Sequence, residues 1–346
     1  MDYKAQYSGK TVLVTGGAGA IGSNLVAALC KLDIDKVIVI DDLSSSQKWN
    51  LPSHNKLIFV EGSVVDEVSL KRVFNERPQI VFHLAAFFAN QNSVDFPEKD
   101  LSVNGLGTLR MLEYSQLIGI ERLVYASSGC SIYGGESPLP LKEDFMSMRL
   151  STPYQITKML GELYCNFYTD HYDLDVVKAR FFNSYGPGEI PGQYRNVIPN
   201  FIYWALKGRA LPITGNPNAT RDFTFVEDLV DGLLRLGVSP NARGKEFNLA
   251  GGREIEIGML ANLINEITGN TNGVKIVGHR KWDTKSRVLA SIDRANEIVG
   301  YSPMTNFENG LQQTVDWFKE NWEQINLFAD FPPGVSSAVR EEVSEK

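Results

Sequence analysis

Two features of the sequence carry chemistry by residue type and spacing. One is Tyr154 and Lys158 in the run Thr152-Pro153-Tyr154-Gln155-Ile156-Thr157-Lys158, four positions apart and hence on one face of a helix in neighbouring turns. A phenol with an ordinary pKa of about 10 is a poor base at neutral pH, and a nearby ammonium favours its phenolate. Pairs at this spacing are common on solvated helices. What lifts this one is its setting, just after the hydroxyl-rich strand end of Leu123 to Gly134, LVYASSGCSIYG. The other feature is Thr11 to Ser23, TVLVTGGAGAIGS, an apolar β-branched run followed by glycines at 16, 17, 19 and 22. A strand that ends in a glycine turn and opens a helix presents free backbone N–H groups and a positive dipole end to a pyrophosphate.

The elements around these features decide what they mean. After the glycine turn, a helix over Ala20 to Lys31 and a strand over Lys36 to Ile40 ending in Asp41 and Asp42 complete a βαβ unit, the context a dinucleotide site needs. A carboxylate at Asp41 would accept hydrogen bonds from the adenosine ribose and repel a 2′-phosphate. That favours NAD over NADP, and no Arg follows nearby in sequence. Asp42 competes for the role. The chain keeps alternating: strands at Leu57 to Val60, Ile80 to Leu84 and Glu121 to Ser127; helices at Glu67 to Asn75, from about Pro97 to Ile118, and from Thr152 to about Tyr172. This pattern predicts an α/β protein with a doubly wound parallel sheet, whose ligands sit at the carboxyl ends of its strands.

Composition sets the outer bounds. A chain of 346 residues exceeds what one core usually serves, so a large domain with a smaller one is expected. The net charge of −7 with scattered Lys and Arg argues against a nucleic-acid surface. No apolar run approaches the length of a membrane span, and a soluble cytoplasmic protein with a small-molecule partner is the expectation. Cys30, Cys130 and Cys165 lack C-x-x-C spacing and the four His form no H-E-x-x-H, so neither a disulfide framework nor a metal site is expected.

Taken together, the motifs resemble the extended short-chain dehydrogenase/reductases, in particular the NAD-dependent nucleotide-sugar epimerases and dehydratases, over roughly residues 10 to 320. The resemblance rests on T-G-G-A-G-A-I-G at 15 to 22, Asp41-Asp42-Leu43, H-L-A-A at 83 to 86, Asn104 with Gly107-Thr108, Ser127-Ser128 with Tyr133-Gly134, and Tyr154 with Lys158. It continues through Arg180-Phe181-Phe182-Asn183, Tyr185-Gly186-Pro187, Thr220-Arg221-Asp222-Phe223, and Arg280 with Asp283. It implies a Rossmann domain over 1–182 with later returns near 223–250, a smaller α/β sugar-nucleotide domain mainly over 183–325, and a polar tail from 326 to 346. It implies NAD held by Gly16, Gly19, Ala20, Ile21, Gly22, Asp41, Ser63, Val64, Leu84, Ala85, Ala86, Tyr154 and Lys158. It further implies a nucleotide-diphosphate sugar held by Asn183, Asn196, Arg221 and Arg280, and a homodimer formed by the helices of about 97 to 118 and 152 to 172.

Departures from the family pattern narrow the activity. Dehydratases of this kind carry Thr-Asp-Glu where this chain has Gly129, Cys130 and Ser131, and without a carboxylic acid there elimination of the 6-hydroxyl is disfavoured. Gly129 also stands where many epimerases have a catalytic Ser or Thr. Ser128 is the chosen replacement, with Ser127 and Ser131 as competitors. Gly62-Ser63 stands in place of the family's Gly-Asp near adenine. The expectation is a 4-epimerase that oxidises the sugar transiently at C4, with Tyr154 as base, Lys158 as its helper and Ser128 as hydrogen-bond donor. A 4,6-dehydratase, a decarboxylase, a net oxidoreductase and an NAD-binding regulatory protein are the alternatives.

Overall fold

A computed structural model of the chain describes residues 3–278, 283, 285–329 and 331. Its centre is a seven-stranded sheet, parallel throughout, built from β1 (Thr11–Thr15), β2 (Lys36–Asp41), β3 (Leu57–Glu61), β4 (Ile80–His83), β5 (Arg122–Ser128), β6 (Val176–Phe181) and a seventh strand, Glu246–Leu249. The spatial order is Glu246–Leu249, β6, β5, β4, β1, β2, β3. The order reverses between β1 and β4, so their carboxyl ends open a crevice between loops leaving in opposite directions. Every residue of β1 is buried, as a strand covered on both faces requires.

Apolar clusters lie on each face of the sheet. One joins Val12, Val14 and Phe82 to Leu25 and Leu29 of α1 (Ala20–Cys30) and to Leu229 and Leu233 of the Val226–Val238 helix. The other joins Leu13, Ile38 and Val81 to Leu70, Met111, Leu112 and Cys165. Away from the sheet, Tyr185, Phe201, Phe223, Leu260, Phe307 and Leu311 form a further cluster.

Two stretches differ from the sequence reading. The long helix of about 97 to 118 is α-helical over Pro97–Asp100 and Gly107–Ile118 but takes π-helical turns over Leu101–Leu106. The extra residue in those turns lets buried Asn104 brace the cleft: its Oδ1 accepts from the Phe87 N–H at 2.7 Å and its Nδ2 donates to Asp100 at 2.8 Å. Of the expected tail from 326, residues 330 and 332–346 lie outside the described residues, while its first residues continue the fold. A helix continues over Trp322–Phe328, and the Phe331 ring stacks on Tyr203 with centroids 5.4 Å apart, because the apolar spacing of this stretch fits a surface left by Tyr203 and Trp204. Among the described residues no helix is long and apolar enough to cross a membrane.

Candidate active site

One cavity of about 550 Å³ runs along the carboxyl ends of β1, β2, β4 and β5 and continues under the segments that follow β6. Gly16, Gly19, Ala20, Ile21, Gly22, Asp41, Ser63, Val64, Leu84, Ala85, Ala86, Ser128, Tyr154, Lys158, Asn183, Asn196 and Arg221 all line it. Arg280 lies outside the described residues.

The glycine turn is compact for a steric reason. A Cβ on Gly22 would stand 2.1 Å from the Gly16 carbonyl oxygen, and one on Gly16, whose φ is +67°, would stand 2.8 Å from the Ala85 backbone nitrogen. α1 starts at Gly19 without a side-chain cap, so its first N–H groups are left for a ligand. An anion-accepting helix start, a turn with no room for side chains and the small Ala85-Ala86 pair fit the pyrophosphate and ribose of NAD. Asp41 is engaged by the protein as well: its carboxylate accepts from Ala18 N at 2.9 Å, Leu43 N at 2.9 Å and Ser46 Oγ at 2.7 Å. Since a carboxylate has roughly four acceptor positions, about one remains for a ribose hydroxyl.

An arginine does reach this end of the cavity, although none is near in sequence. Arg195 donates to the Ser45 carbonyl, and it lies close enough to Glu189 and Asp41 for both to act on its charge. It is carried by the segment after β6, which is fastened over the glycine turn where Asn50 Nδ2 donates to Gly188 O at 2.9 Å and Asn24 Nδ2 to Pro187 O at 2.8 Å. Glu189 lines the same cavity; burial pushes its carboxyl up to about 7, against the opposing pull of Arg195 and of hydrogen bonds from Asn196. Asn196, read as a sugar-nucleotide contact, here donates to Glu189 at 3.0 Å.

In the middle of the cavity stand the reactive candidates. Thr152 caps the Pro153–Tyr172 helix and Pro153 opens it, which points Tyr154 and Lys158 at the end of β5. Ser128 is near enough to the Tyr154 hydroxyl to pull its pKa down, and Ser128 Oγ is 2.9 Å from Ser131 Oγ, so three hydroxyls stand together. Lys158 is 3% exposed, donates to the Ala126 carbonyl at 2.8 Å, and lies 5.7 Å from the Tyr154 ring centroid. Burial lowers Lys158 to about 8, while Asp100 opposes the shift. Burial also holds the Tyr154 phenol above its ordinary value, with Asp100 and Cys130 adding to the rise and the Ser128 hydrogen bond opposing it. The protein's own groups therefore keep Tyr154 neutral at pH 7. Ser127, one of the two competitors, is 2% exposed and its hydroxyl has no hydrogen-bond partner among the described residues.

Gly129 has a physical cause. A Cβ there would stand 2.1 Å from Cε2 of Phe182, so the Phe182 ring occupies the volume a Ser or Thr would need. The wall behind is rigid: buried Arg180 pairs with Glu162 of the Pro153–Tyr172 helix at 2.7 Å and donates to Tyr133 at 3.0 Å, and Tyr133 donates to Asn248 at 2.7 Å.

Side chains from separated segments furnish the far end. Asn183 Nδ2 contacts Cys130 Sγ at 3.3 Å and donates to Asp222 O at 3.1 Å. Arg221 is paired with Asp283 at 3.0 Å. Lys285, absent from the sequence reading, lines the cavity and donates to the Cys130 carbonyl at 2.8 Å. Its isolated position in a loop of mixed polarity gave no periodic or motif signal.

Comparison with known proteins bears on the family and the fold. Residues 12–250 match the sequence model of the NAD dependent epimerase/dehydratase family. The chain is 36% identical to UDP-glucose 4-epimerase of Mycolicibacterium smegmatis, over 89% of this chain and 98% of that one. It is 30% identical to UDP-glucuronic acid decarboxylase 1 of Xenopus tropicalis, over 91% of this chain and 73% of that one. Among solved structures it is similar to epimerase Mth375 of Methanothermobacter thermautotrophicus, with a TM-score of 0.94 and 54% identity over 96% of this chain and 98% of that one. It is also similar to the Bordetella bronchiseptica enzyme WbmF in complex with NAD+, with a TM-score of 0.81 and 36% identity over 93% and 96%.

Proposed function

Because the chain belongs to the NAD dependent epimerase/dehydratase family, we propose that it is a nucleotide-sugar 4-epimerase. The cofactor of the family is NAD, and the Gly16–Gly22 turn is shaped to take it. The observation that carries the finer reading is the cluster of the Tyr154, Ser128 and Ser131 hydroxyls, beside a turn of Gly129, Cys130 and Ser131 that offers no carboxylic acid. Such a wall can move a proton on and off a hydroxyl but has no acid to expel one as water.

NAD, when bound, supplies a hydride acceptor for C4 and a positive charge near the phenol. Tyr154 takes the proton of the sugar 4-hydroxyl and returns it after the 4-keto sugar has presented its other face. Ser128 donates a hydrogen bond to the same oxygen. Lys158, fixed on the Ala126 carbonyl, adds positive charge on the ring side of Tyr154, and that charge is largely present below pH about 8. The diphosphate would compete with Asp283 for Arg221, whose guanidinium suits a two-point hold.

The expected assembly is a homodimer. Leu106, Leu117, Ile156, Leu163 and Phe167 are all exposed on the two helices that would meet, with Phe167 at 49% and Leu163 at 53%. An apolar stripe of this sort on a monomer is normally covered by a partner, and an isologous two-fold pairing would do it. A cytoplasmic setting is supported by three free cysteines. The division into a dinucleotide domain over 1–182 and a sugar-nucleotide domain over 183–325 is supported by the separate apolar cluster around Phe223 and Phe307.

The test is incubation with UDP-, dTDP-, GDP- and CDP-sugars, following products by NMR and NADH by absorbance. Interconversion of 4-epimers without net NADH supports the reading. A dehydrated or decarboxylated product, or stoichiometric NADH, overturns it.

A further inference from the structure

We infer that the sugar this protein takes carries a carboxylate, and that Lys285 is the cation that selects it. The inference rests on the reading of Tyr154 and Ser128 as the groups that meet the sugar 4-hydroxyl. It goes beyond that reading by naming the substituent on a neighbouring carbon.

The starting point is the wall that continues from the hydroxyl cluster. Ser128 and Ser131 are hydrogen-bonded across one helical turn, Gly129–Ile132, and Cys130 lies between them. Lys285 is fastened to that same turn through the Cys130 carbonyl. A sugar whose 4-oxygen sits at Tyr154 and Ser128 therefore has its adjoining carbons beside a turn that carries a lysine ammonium.

Charge on this wall is unbalanced. An ammonium has three N–H donors, and among the described residues Lys285 has one hydrogen bond and no ion pair. The nearest candidate counter-ion, Asp283, is committed to Arg221 at 3.0 and 3.2 Å. The other carboxylates lining the cavity lie elsewhere: Asp41 is tied to Ala18 and Ser46, Asp42 to Ser44, and Glu189 to Asn196. None of them hydrogen-bonds to the turn. Burial lowers the pKa of Lys285 and the neighbouring Arg221 adds to it, while Cys130 and Asp283 pull the other way.

A neutral hydroxymethyl group against this ammonium would leave the charge uncompensated, whereas a carboxylate would supply a charge-assisted hydrogen bond and its missing counter-ion. Two kinds of sugar bring a carboxylate next to C4: a hexuronate, through C5, and a sugar with an acid-bearing ether on C3. Both have the chemistry that Lys285 would recognise, and the experiment separates them.

Steady-state kcat/KM is measured for UDP-glucuronate, UDP-N-acetylmuramate and UDP-glucose with the full chain and with Lys285→Gln and Lys285→Arg. The expected result is that the wild type favours one acidic sugar over UDP-glucose. Lys285→Gln should then lower that ratio roughly 10- to 100-fold, as loss of a charge-assisted hydrogen bond does. Lys285→Arg should restore much of it. Which acidic sugar is favoured places the carboxylate on C5 or on C3. An equal loss for acidic and neutral sugars would put Lys285 on the diphosphate and overturn the inference, as would a wild type that prefers UDP-glucose. Direct binding of the same three compounds by calorimetry keeps the two proposals apart: Lys285-dependent preference for an acidic sugar with no 4-epimer formed defeats the epimerase reading and leaves the carboxylate site standing.

Discussion

At the cofactor end of the cleft the chain brings bare backbone to the ligand through Gly16, Gly19 and Gly22, with Asp41 locked by its own loop. At the sugar end it presents side chains instead, with Asn183, Arg221, Asp283 and Lys285 drawn from segments far apart in sequence. Backbone shaped by packing has few alternatives, since one added carbon collides with another backbone atom. Side chains on loops can be exchanged without moving the frame. On the function proposed above, one half of the cleft fixes what chemistry is done and the other half fixes on what.

Breaking the cofactor end should give the largest effect. Gly22→Val places atoms where even a Cβ stands 2.1 Å from the Gly16 carbonyl, so retained NAD should fall below detection in the purified protein and the melting temperature should drop by several degrees. Wild-type NAD content in that variant would show that the turn is not the pyrophosphate cradle. Next in size is the middle of the cleft. Tyr154→Phe should lower kcat by roughly two or more orders of magnitude while sugar-nucleotide binding, read by calorimetry, stays within a few-fold. Lys158→Met should also lower the rate and displace the rising limb of the pH profile upward, because the phenolate loses a cationic neighbour. Near-normal turnover in Tyr154→Phe would mean that proton transfer is done elsewhere.

Ser128→Ala should cost less, roughly 3- to 30-fold, because Ser131 stands 2.9 Å away and can donate in its place. The double change with Ser131→Ala should then exceed the sum of the two single effects in free energy, which a double-mutant cycle measures. The smallest effect on turnover concerns Glu189, whose folded carboxyl is pushed up to about 7 by burial and whose change is read in stability instead. A raised folded pKa means the native state holds a proton that the unfolded chain has released. This stabilisation is complete below the unfolded value of about 4.3 and is lost as pH rises through 7. Glu189→Gln should flatten the decline of thermal stability between about pH 4.5 and 7, by up to roughly 3 kcal/mol. An unchanged slope would show that Glu189 is ionised throughout.

The same contrast governs what could be read from the residues alone. The glycine turn, the alternating strands and helices and the Tyr154–Lys158 pair were legible because their signals are local: a turn chemistry, a period, a four-residue spacing. Asn183 and Arg221 were reached through motifs, yet their partners Cys130 and Asp283 come from other segments. Arg195 could not be read as a neighbour of the Asp41 loop, since 150 residues separate it from Ser45. Lys285 and Glu189 carry no pattern at all; only the fold brings them to the wall of the cavity. The π-helical turns around Asn104 are invisible for a different reason, because the composition of a π-turn matches that of an α-helix and only backbone bonds five residues apart, such as Gly107 N–H to Ser102 O, distinguish it.

The contact between Gly129 and Phe182 has a consequence for how such a site can change. A hydroxyl side chain at 129 cannot be added while the Phe182 ring is in place, and trimming Phe182 alone opens a void beside the buried Tyr133 ring, stacked on it at 6.3 Å. Each single step is therefore unfavourable, although the pair together is not, and the order of substitutions decides whether any path exists. The serines at 128 and 131 are then best understood as one of two mutually exclusive solutions: a chain that has committed to an aromatic ring at 182 has closed the route to a hydroxyl at 129, and its descendants must vary the reaction through the neighbouring positions instead.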